Sequence, residues 1–154
     1  RIRRLCIGVI SKSEEVSNFG RAKVHRLAPM MDRLDALVLN RAEACELAGK
    51  TGTVVELATI LSASLRPHAS VLVSNGAGPA TLAAGGEVIS SAPPKITLAN
   101  ENGAGDAMAA AFFCLCLDRA MGPPNTAVTS AEILEDMLAG ALAAGANFAA
   151  GNVI

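Results

Sequence analysis

Residues 100–113 read NENGAGDAMAAAFF, and this stretch decides the fold. A polar turn with two glycines passes directly into an apolar segment, residues 107–117, that contains neither Gly nor Pro. Ala, Met and Leu favour the helical conformation, and a helix that is apolar on all sides is a buried one. The stretch therefore predicts a central buried helix whose first turn is Gly103-Ala104-Gly105-Asp106.

This helix start has the chemistry of an anion site. The first N–H groups of a helix lack intrahelical partners, and the aligned peptide dipoles add about half a positive charge there. Gly103 and Gly105 have no side chains that would keep phosphate oxygens from the backbone. Asp106 would then be a base that takes a proton from an attacking hydroxyl. The simpler alternative is a capped buried helix, with Asn102 as N-cap and Asp106 favoured by the dipole.

The run NGAGDAMAAAFF, residues 102–113, resembles the signature of the ribokinase (pfkB) family of sugar and nucleoside kinases. The resemblance implies that the Gly103–Gly105 backbone forms an anion hole for the phosphates of ATP and that Asp106 is the catalytic base. In front of the glycine the family often has Asp-Thr-Thr, whereas this chain has Asn100-Glu101-Asn102. Because of this departure, binding of a monovalent cation stays an open question.

A second polar motif follows a predicted strand. The apolar run Ala36–Leu39 predicts a buried strand, Asn40 ends it, and Glu43 follows at the start of a helix that Gly49 would stop. This spacing resembles the family's N-x-x-E motif, which implies that Asn40 and Glu43 organise Mg²⁺ and its waters, as the coordination habits of Mg²⁺ allow. The same spacing is that of a capping box, so both interpretations remain. The run NRAEA, residues 40–44, slightly favours a resemblance to the pseudouridine-kinase-like members of the family.

Further polar residues resemble the nucleotide side of the family. Ser74 and Gly76 follow Val71–Val73, a third predicted buried strand, and the resemblance implies that they lie near the phosphates of ATP. It also assigns nucleotide binding to Asn102, just before the glycine turn, and to Asn147, near the adenine. A single Asn in an Ala-rich helix is also ordinary polar surface, so Asn147 has that alternative.

The order of predicted elements is that of a layered α/β protein. In chain order these are strand 5–10, helix 21–31, strand 36–39, the helix ending at Gly49, helix 54–65, strand 71–73, the hairpin of Ala80–Ala84 against Val88–Ser91, the helix after the glycine turn, and helix 131–149. We expect a three-layer α/β/α fold with a mostly parallel sheet, whose ligands bind beyond the carboxyl ends of its strands. The resemblance implies one domain, residues 1–154, equivalent to the C-terminal half of a ribokinase-like kinase without its N-terminal half and lid.

The composition argues against a nucleic-acid-binding platform and against a membrane-spanning helix. The chain has 154 residues, a formal net charge of −1 and only 3% aromatic residues, which argues against a nucleic-acid platform built from basic grooves and stacking rings. No apolar run approaches the roughly 20 residues needed to cross a bilayer. The four cysteines, Cys6, Cys45, Cys114 and Cys116, form no C-x-x-C pair and predict reduced thiols in the cytoplasm, with disulfides or a zinc site as the alternative.

The resemblance implies a kinase that uses ATP and Mg²⁺ to phosphorylate a hydroxyl of a small sugar or nucleoside, with pseudouridine as one candidate. The alternative is a nucleotide-binding or interaction module, derived from a truncated kinase and without catalysis of its own. We expect a cytoplasmic protein that binds neither nucleic acid nor membranes. Apolar surface left by the missing half predicts self-association into a homo-oligomer.

Overall fold

The computed structural model of the protein describes residues 7–9, 31, 33–100, 102–121 and 130–151. Its elements in chain order are β1 (Ile7–Val9), β2 (Ala36–Asn40), α1 (Arg41–Ala48), α2 (Val54–Ala63), β3 (Ser70–Asn75), β4 (Gly78–Ala84), β5 (Glu87–Ser91), α3 (Ala104–Met121) and α4 (Ser130–Ala149). The predicted helix 21–31 lies outside the described residues except for its last position. Within the described residues, no helix has the length and apolar character that a membrane span requires.

The five strands form one sheet in the order β1-β2-β3-β4-β5. β2 pairs in parallel with β1 and β3, whereas β4 pairs antiparallel with β3 and β5. The prediction of a mostly parallel sheet is therefore not confirmed. The reason is the two-residue turn Gly76-Ala77 between β3 and β4, because parallel neighbours need a much longer crossover. The predicted β4–β5 hairpin is present, and its turn residues Gly85 and Gly86 have φ of 60° and 89°, as a tight hairpin turn requires.

The three-layer α/β arrangement is confirmed, because both faces of the sheet are covered by helices. Alternate strand residues point to opposite faces, so Leu37, Val71 and Val73 face α1 and α2, whereas Val38 and Leu72 face α3 and α4. All five of these side chains are buried. Strands buried on both faces explain why β2 and β3 read as continuous apolar runs rather than as alternating ones.

Helix α3 differs from its prediction as a helix buried on all sides. Met108, Ala109, Phe112 and Phe113 are buried against the sheet and α4. The opposite face exposes a row of small or apolar side chains, namely Ala110, Cys114 and Leu117. The prediction was wrong because apolar composition alone does not say how many neighbours a helix has, and α3 lies in an outer layer of the described residues.

Candidate active site

Helix α3 begins at Ala104, which makes Gly103 its N-cap residue. The Gly103 carbonyl oxygen accepts the first hydrogen bond of the helix, from the amide of Ala107 at 2.9 Å. The amides of residues 104–106 precede that bond, so they have no acceptor within the helix. They form the positive end of the α3 dipole.

Asn102 is not the N-cap that one interpretation of the sequence expected. Its amide donates to the Asn100 side-chain oxygen at 3.0 Å, which closes a local turn just before the helix. The Asn102 residue is exposed. The Asn100 side chain therefore stabilises the turn in front of α3, and Gly103 is the N-cap of the helix.

The starts of helices α1 and α2 are capped by side chains, unlike the start of α3. Helices α1 and α2 both begin with a capping box, formed by Asn40 with Glu43 and by Thr53 with Glu56. The hydrogen bonds from the backbone and hydroxyl of Thr53 lower the pKa of Glu56 from its ordinary value. At α3 the N-cap is Gly103, which has no side chain to accept from the first amides. An anion from outside the chain can take that place.

The two glycines of the turn are required for different reasons. Gly103 has a φ of 92°, a conformation that L side chains rarely adopt, and a Cβ there would lie 2.8 Å from Cε1 of Phe148, so the ring would also have to shift. Gly105 is exposed, has ordinary helical φ, and would meet no atom within 4 Å if it had a Cβ. A helical Gly costs about 1 kcal/mol relative to Ala, so Gly105 has a stability cost without a reason inside the protein. The space it leaves lies directly beside the first amides.

The last turn of α4 holds this helix start in place. A Cβ at Gly145 would lie 3.0 Å from the Ala104 carbonyl oxygen, so the two backbones are in close contact. The Ala149 carbonyl oxygen accepts from the amides of Ala99 and Asn100 at 2.8 and 3.0 Å. The segment before α3 and the first turn of α3 are thus both attached to the C-terminal end of α4.

Asp106 lies in the first turn of α3, and its side chain is exposed. A carboxylate at this position stabilises the helix through the dipole. The Asp106 carboxylate is also accessible to a ligand that accepts hydrogen bonds from the amides of residues 104–106. A base that takes a proton from an acceptor hydroxyl must not be enclosed in the interior, and the exposure of Asp106 meets that one condition.

Asn40 and Glu43 form the capping box that the sequence allowed. The Glu43 amide donates to Oδ1 of Asn40 at 3.0 Å, and the Asn40 amide donates to Oε2 of Glu43 at 2.8 Å. Glu43 is only 8% exposed. Within the described part of the chain, no three His, Cys, Asp or Glu side chains are grouped so as to hold a metal ion.

Ser74 lies beside Asn40 at the carboxyl edge of the sheet. The two residues are register partners on the parallel strands β3 and β2, and the Ser74 hydroxyl donates to the Leu39 carbonyl oxygen at 3.4 Å. Gly76 follows in the exposed turn to β4, where its φ of 58° suits glycine. The structure thus brings Asn40, Ser74 and Gly76 to the sheet edge where ligands bind in open α/β proteins.

Asn147 is exposed on the last turn of α4, directly before Phe148. Sequence reasoning missed both Gly145 and Phe148. Their contacts with residues 103 and 104 join two helices that are separated along the chain, and no local pattern encodes such a contact. The available signal was Gly145 itself, because a glycine inside a helix often has a packing reason.

Comparison with known proteins identifies the family and the fold. The profile described as pfkB family carbohydrate kinase matches residues 14–149. No curated protein sequence matches the chain.

Several solved structures share the fold. Aminoimidazole riboside kinase from Salmonella enterica is 19% identical with a TM-score of 0.67, and the match covers 92% of this chain and 44% of that one. Adenosine kinase from Schistosoma mansoni is 18% identical with a TM-score of 0.64, over 86% and 39% of the two chains. A pyrophosphate-dependent kinase in the ribokinase family is 19% identical with a TM-score of 0.60, over 79% and 38%. The chain thus spans less than half the length of each structure.

The contact between α4 and the start of α3 gives a stability prediction. In Gly145→Ala the new Cβ would lie 3.0 Å from the Ala104 carbonyl oxygen and 3.1 Å from Cβ of Met108. We expect the free energy of unfolding to fall by about 1–3 kcal/mol, the usual effect of overpacking, in spite of the better helix propensity of Ala. Urea unfolding followed by circular dichroism measures it.

Gly140→Ala is the matched control, because Gly140 lies in the same helix and its Cβ would meet only the Leu115 side-chain end, at 3.2 Å. This variant should be as stable as the original protein or more stable. Equal stability changes in the two variants would show that α4 does not support the start of α3.

Proposed function

The chain belongs to the pfkB family of carbohydrate kinases, and on this premise we propose that it is the nucleotide-binding part of an enzyme that transfers a phosphoryl group from ATP to a hydroxyl. The observation that carries the proposal is the start of α3. There the amides of residues 104–106, which have no acceptor within the helix, lie beside the exposed carboxylate of Asp106.

In the proposed reaction the amides of residues 104–106 bind the oxygens of the transferred phosphoryl group. The acceptor hydroxyl oxygen forms a bond to the γ-phosphorus while the bond from that phosphorus to the bridging oxygen breaks, so ADP leaves. The hydroxyl proton passes to the carboxylate of Asp106. Because phosphoryl transfer needs mainly positioning and charge stabilisation, a fixed set of backbone donors suits it. Gly105 lets the phosphate approach those donors without meeting a Cβ.

Asp106 is assigned as base rather than as a binding group on electrostatic grounds. A carboxylate beside bound phosphates repels them, which weakens binding if it has no other role. A base, in contrast, has to lie close to the bound phosphates, because the hydroxyl that it deprotonates attacks the γ-phosphorus. The exposure of Asp106 supports this assignment, since an acceptor molecule can reach it.

We assign the donor's remaining contacts to two places. Ser74 and Gly76 lie at the carboxyl edge of the sheet, where they suit the phosphates, and Asn102 lies in the turn before α3. Asn147 lies on the exposed side of the last turn of α4, where its amide suits the edge of a base.

Glu43 is the proposed partner of Mg²⁺, through water. Its capping box fixes the carboxylate beside Asn40 at the carboxyl edge of β2, and one carboxylate together with the donor's phosphates and several waters is a usual shell for this ion. When bound, Mg²⁺ supplies charge neutralisation for the β- and γ-phosphates. Glu43 would then have two roles, since the same side chain starts α1 and orients the ion's waters.

For the acceptor we propose a small sugar or a nucleoside. Two of the similar structures are kinases named for nucleoside substrates, aminoimidazole riboside and adenosine. The run NRAEA at residues 40–44 adds pseudouridine to the candidates. We further propose that the chain corresponds to the C-terminal part of a ribokinase-like kinase, which means that acceptor contacts come largely from outside it.

Asp106→Asn tests the base directly. We expect transfer of labelled γ-phosphate to a panel of sugars and nucleosides, pseudouridine included, to fall about 10²- to 10⁴-fold, the usual contribution of a general base. ATP binding, measured by calorimetry, should persist. Asp118→Asn is the control, because Asp118 is an exposed acid on the same helix but about 18 Å further along it. Unchanged transfer in Asp106→Asn would refute the base; ATP binding without transfer in the unaltered protein would indicate a non-catalytic module.

Gly105→Ala should separate stability from function. The new methyl group meets no atom of the protein, so the variant should be more stable by up to about 1 kcal/mol. The methyl group would occupy the space beside the first amides, so the affinity for ATP should fall. Gly140→Ala is the control, because Gly140 is also an exposed glycine but lies in α4. This variant should leave the affinity for ATP unchanged. Normal ATP binding by the Gly105→Ala variant would contradict the anion site.

Glu43→Gln separates capping from metal binding, because the amide oxygen still accepts from Asn40 while the charge is lost. We expect the Mg²⁺ concentration for half-maximal transfer to rise about tenfold, as for other second-layer metal partners, with little change in melting temperature. The matched control is Glu56→Gln, which makes the same change in the capping box of α2. If both variants keep the original Mg²⁺ requirement, Glu43 is a capping residue only.

A further inference from the structure

Arg41 is an exposed cation at the carboxyl edge of the sheet. It is the first residue of α1 and follows Asn40 directly. Asn40 ends β2 and is the register partner of Ser74 on the parallel strand β3. Arg41 therefore begins at the edge where ligands bind in open α/β proteins.

The Arg41 side chain is attached to the loop between α1 and α2. Its Nε–H donates to the Gly52 carbonyl oxygen at 3.0 Å, across 11 positions of the chain. A free surface arginine loses much of its rotamer freedom when it binds a ligand. The bond to Gly52 removes part of that freedom in advance, so binding through the rest of the guanidinium group costs less entropy.

The rest of that guanidinium group has no acceptor within the described residues. An arginine has N–H groups on Nε and on both terminal nitrogens, and the hydrogen bond to Gly52 uses only the one on Nε. The ion pairs among the described residues join Asp35 to Arg66 and to His68, which precede β2 and β3 at the opposite edge of the sheet. The charge of Arg41 is therefore not neutralised by a carboxylate in the described part of the chain.

The position of Arg41 in α1 is electrostatically unfavourable. The first turn of a helix is the positive end of its dipole, which favours an acidic side chain and disfavours a cation. Glu43 in the same turn follows this rule, whereas Arg41 departs from it. A residue that conflicts with its local environment is expected where a ligand completes the site, and here the missing partner is an anion.

We propose that Arg41 binds the phosphates of the nucleotide donor through the terminal nitrogens of its guanidinium group. The inference rests on the proposed function, which puts those phosphates at the carboxyl edge of the sheet. The other proposed contacts of the donor, Ser74, Gly76 and Asn102, are uncharged, so they leave the negative charge of the phosphates in place. A guanidinium group supplies that charge and matches two phosphate oxygens at once.

The test measures the affinity for ATP by calorimetry at several salt concentrations. Arg41→Gln removes the charge, and Arg41→Lys retains the charge without the planar fork. We expect Arg41→Gln to weaken ATP binding about tenfold at low salt, because a charge-assisted hydrogen bond is lost. At high salt the loss should be smaller, because the ion pair of the unaltered protein is then screened. Arg41→Lys should have an intermediate affinity and the salt dependence of the unaltered protein.

Arg33→Gln is the matched control. Arg33 is also an exposed arginine, but it precedes β2 and thus lies at the opposite end of that strand. The control makes the same change in net charge and should leave ATP binding unchanged. Equal losses in Arg33→Gln and Arg41→Gln would mean that net charge attracts the nucleotide without a contact, and the proposal would be overturned.

The remaining outcomes show which proposal has failed. If Arg41→Gln loses the same factor in affinity at every salt concentration and also melts at a lower temperature, Arg41 only holds the α1–α2 loop and its assignment is overturned. If Arg41→Gln binds ATP as the unaltered protein does, the assignment of Arg41 is overturned while the kinase proposal stands. If the unaltered protein does not bind ATP, the proposed function itself fails, and the role of Arg41 fails with it.

Discussion

The contact between the last turn of α4 and the first turn of α3 is the constraint on which the candidate site depends. Gly145 admits the Ala104 carbonyl oxygen, Phe148 occupies the space where Gly103 has no side chain, and the Ala149 carbonyl oxygen holds the segment before the helix. A glycine-rich turn has little conformational preference of its own. Its geometry is therefore imposed by α4, and the amides that could bind phosphate are only as well placed as that helix makes them.

The same turn has two features that cost stability and that no contact within the described residues offsets. Helices α1 and α2 satisfy their first amides with their own side chains, whereas α3 begins at a residue that has none. Gly105 adds a propensity cost that no contact within the protein explains. Local features that disagree with the surrounding structure are expected where a ligand completes the site. Two such features in one turn are a stronger indication of a site than either alone.

Sequence patterns predicted the helices, strands and turns well, but predicted strand direction, helix burial and tertiary contacts less well. Turn and cap residues act locally, so β2, the Asn40–Glu43 capping box, the stop at Gly49 and the β4–β5 hairpin were all predictable. The antiparallel course of β4 depends on the two-residue turn Gly76-Ala77, of which only Gly76 was interpreted from the sequence, as a nucleotide-binding residue. The exposed face of α3 and the contacts of Phe148 depend on which helix packs where. Burial of an apolar helix and support of a turn are tertiary properties that residue spacing does not encode.

The mixed sheet also sets an order of assembly. β3, β4 and β5 are joined by turns of two residues, so closing these loops removes little chain entropy and their pairing is fast. The parallel pairing of β2 with β3 has to wait until residues 41–69 have formed α1 and α2 or have been brought across the sheet. We therefore expect the three-stranded meander to form first and its β3 edge to be the template for the parallel pairing with β2.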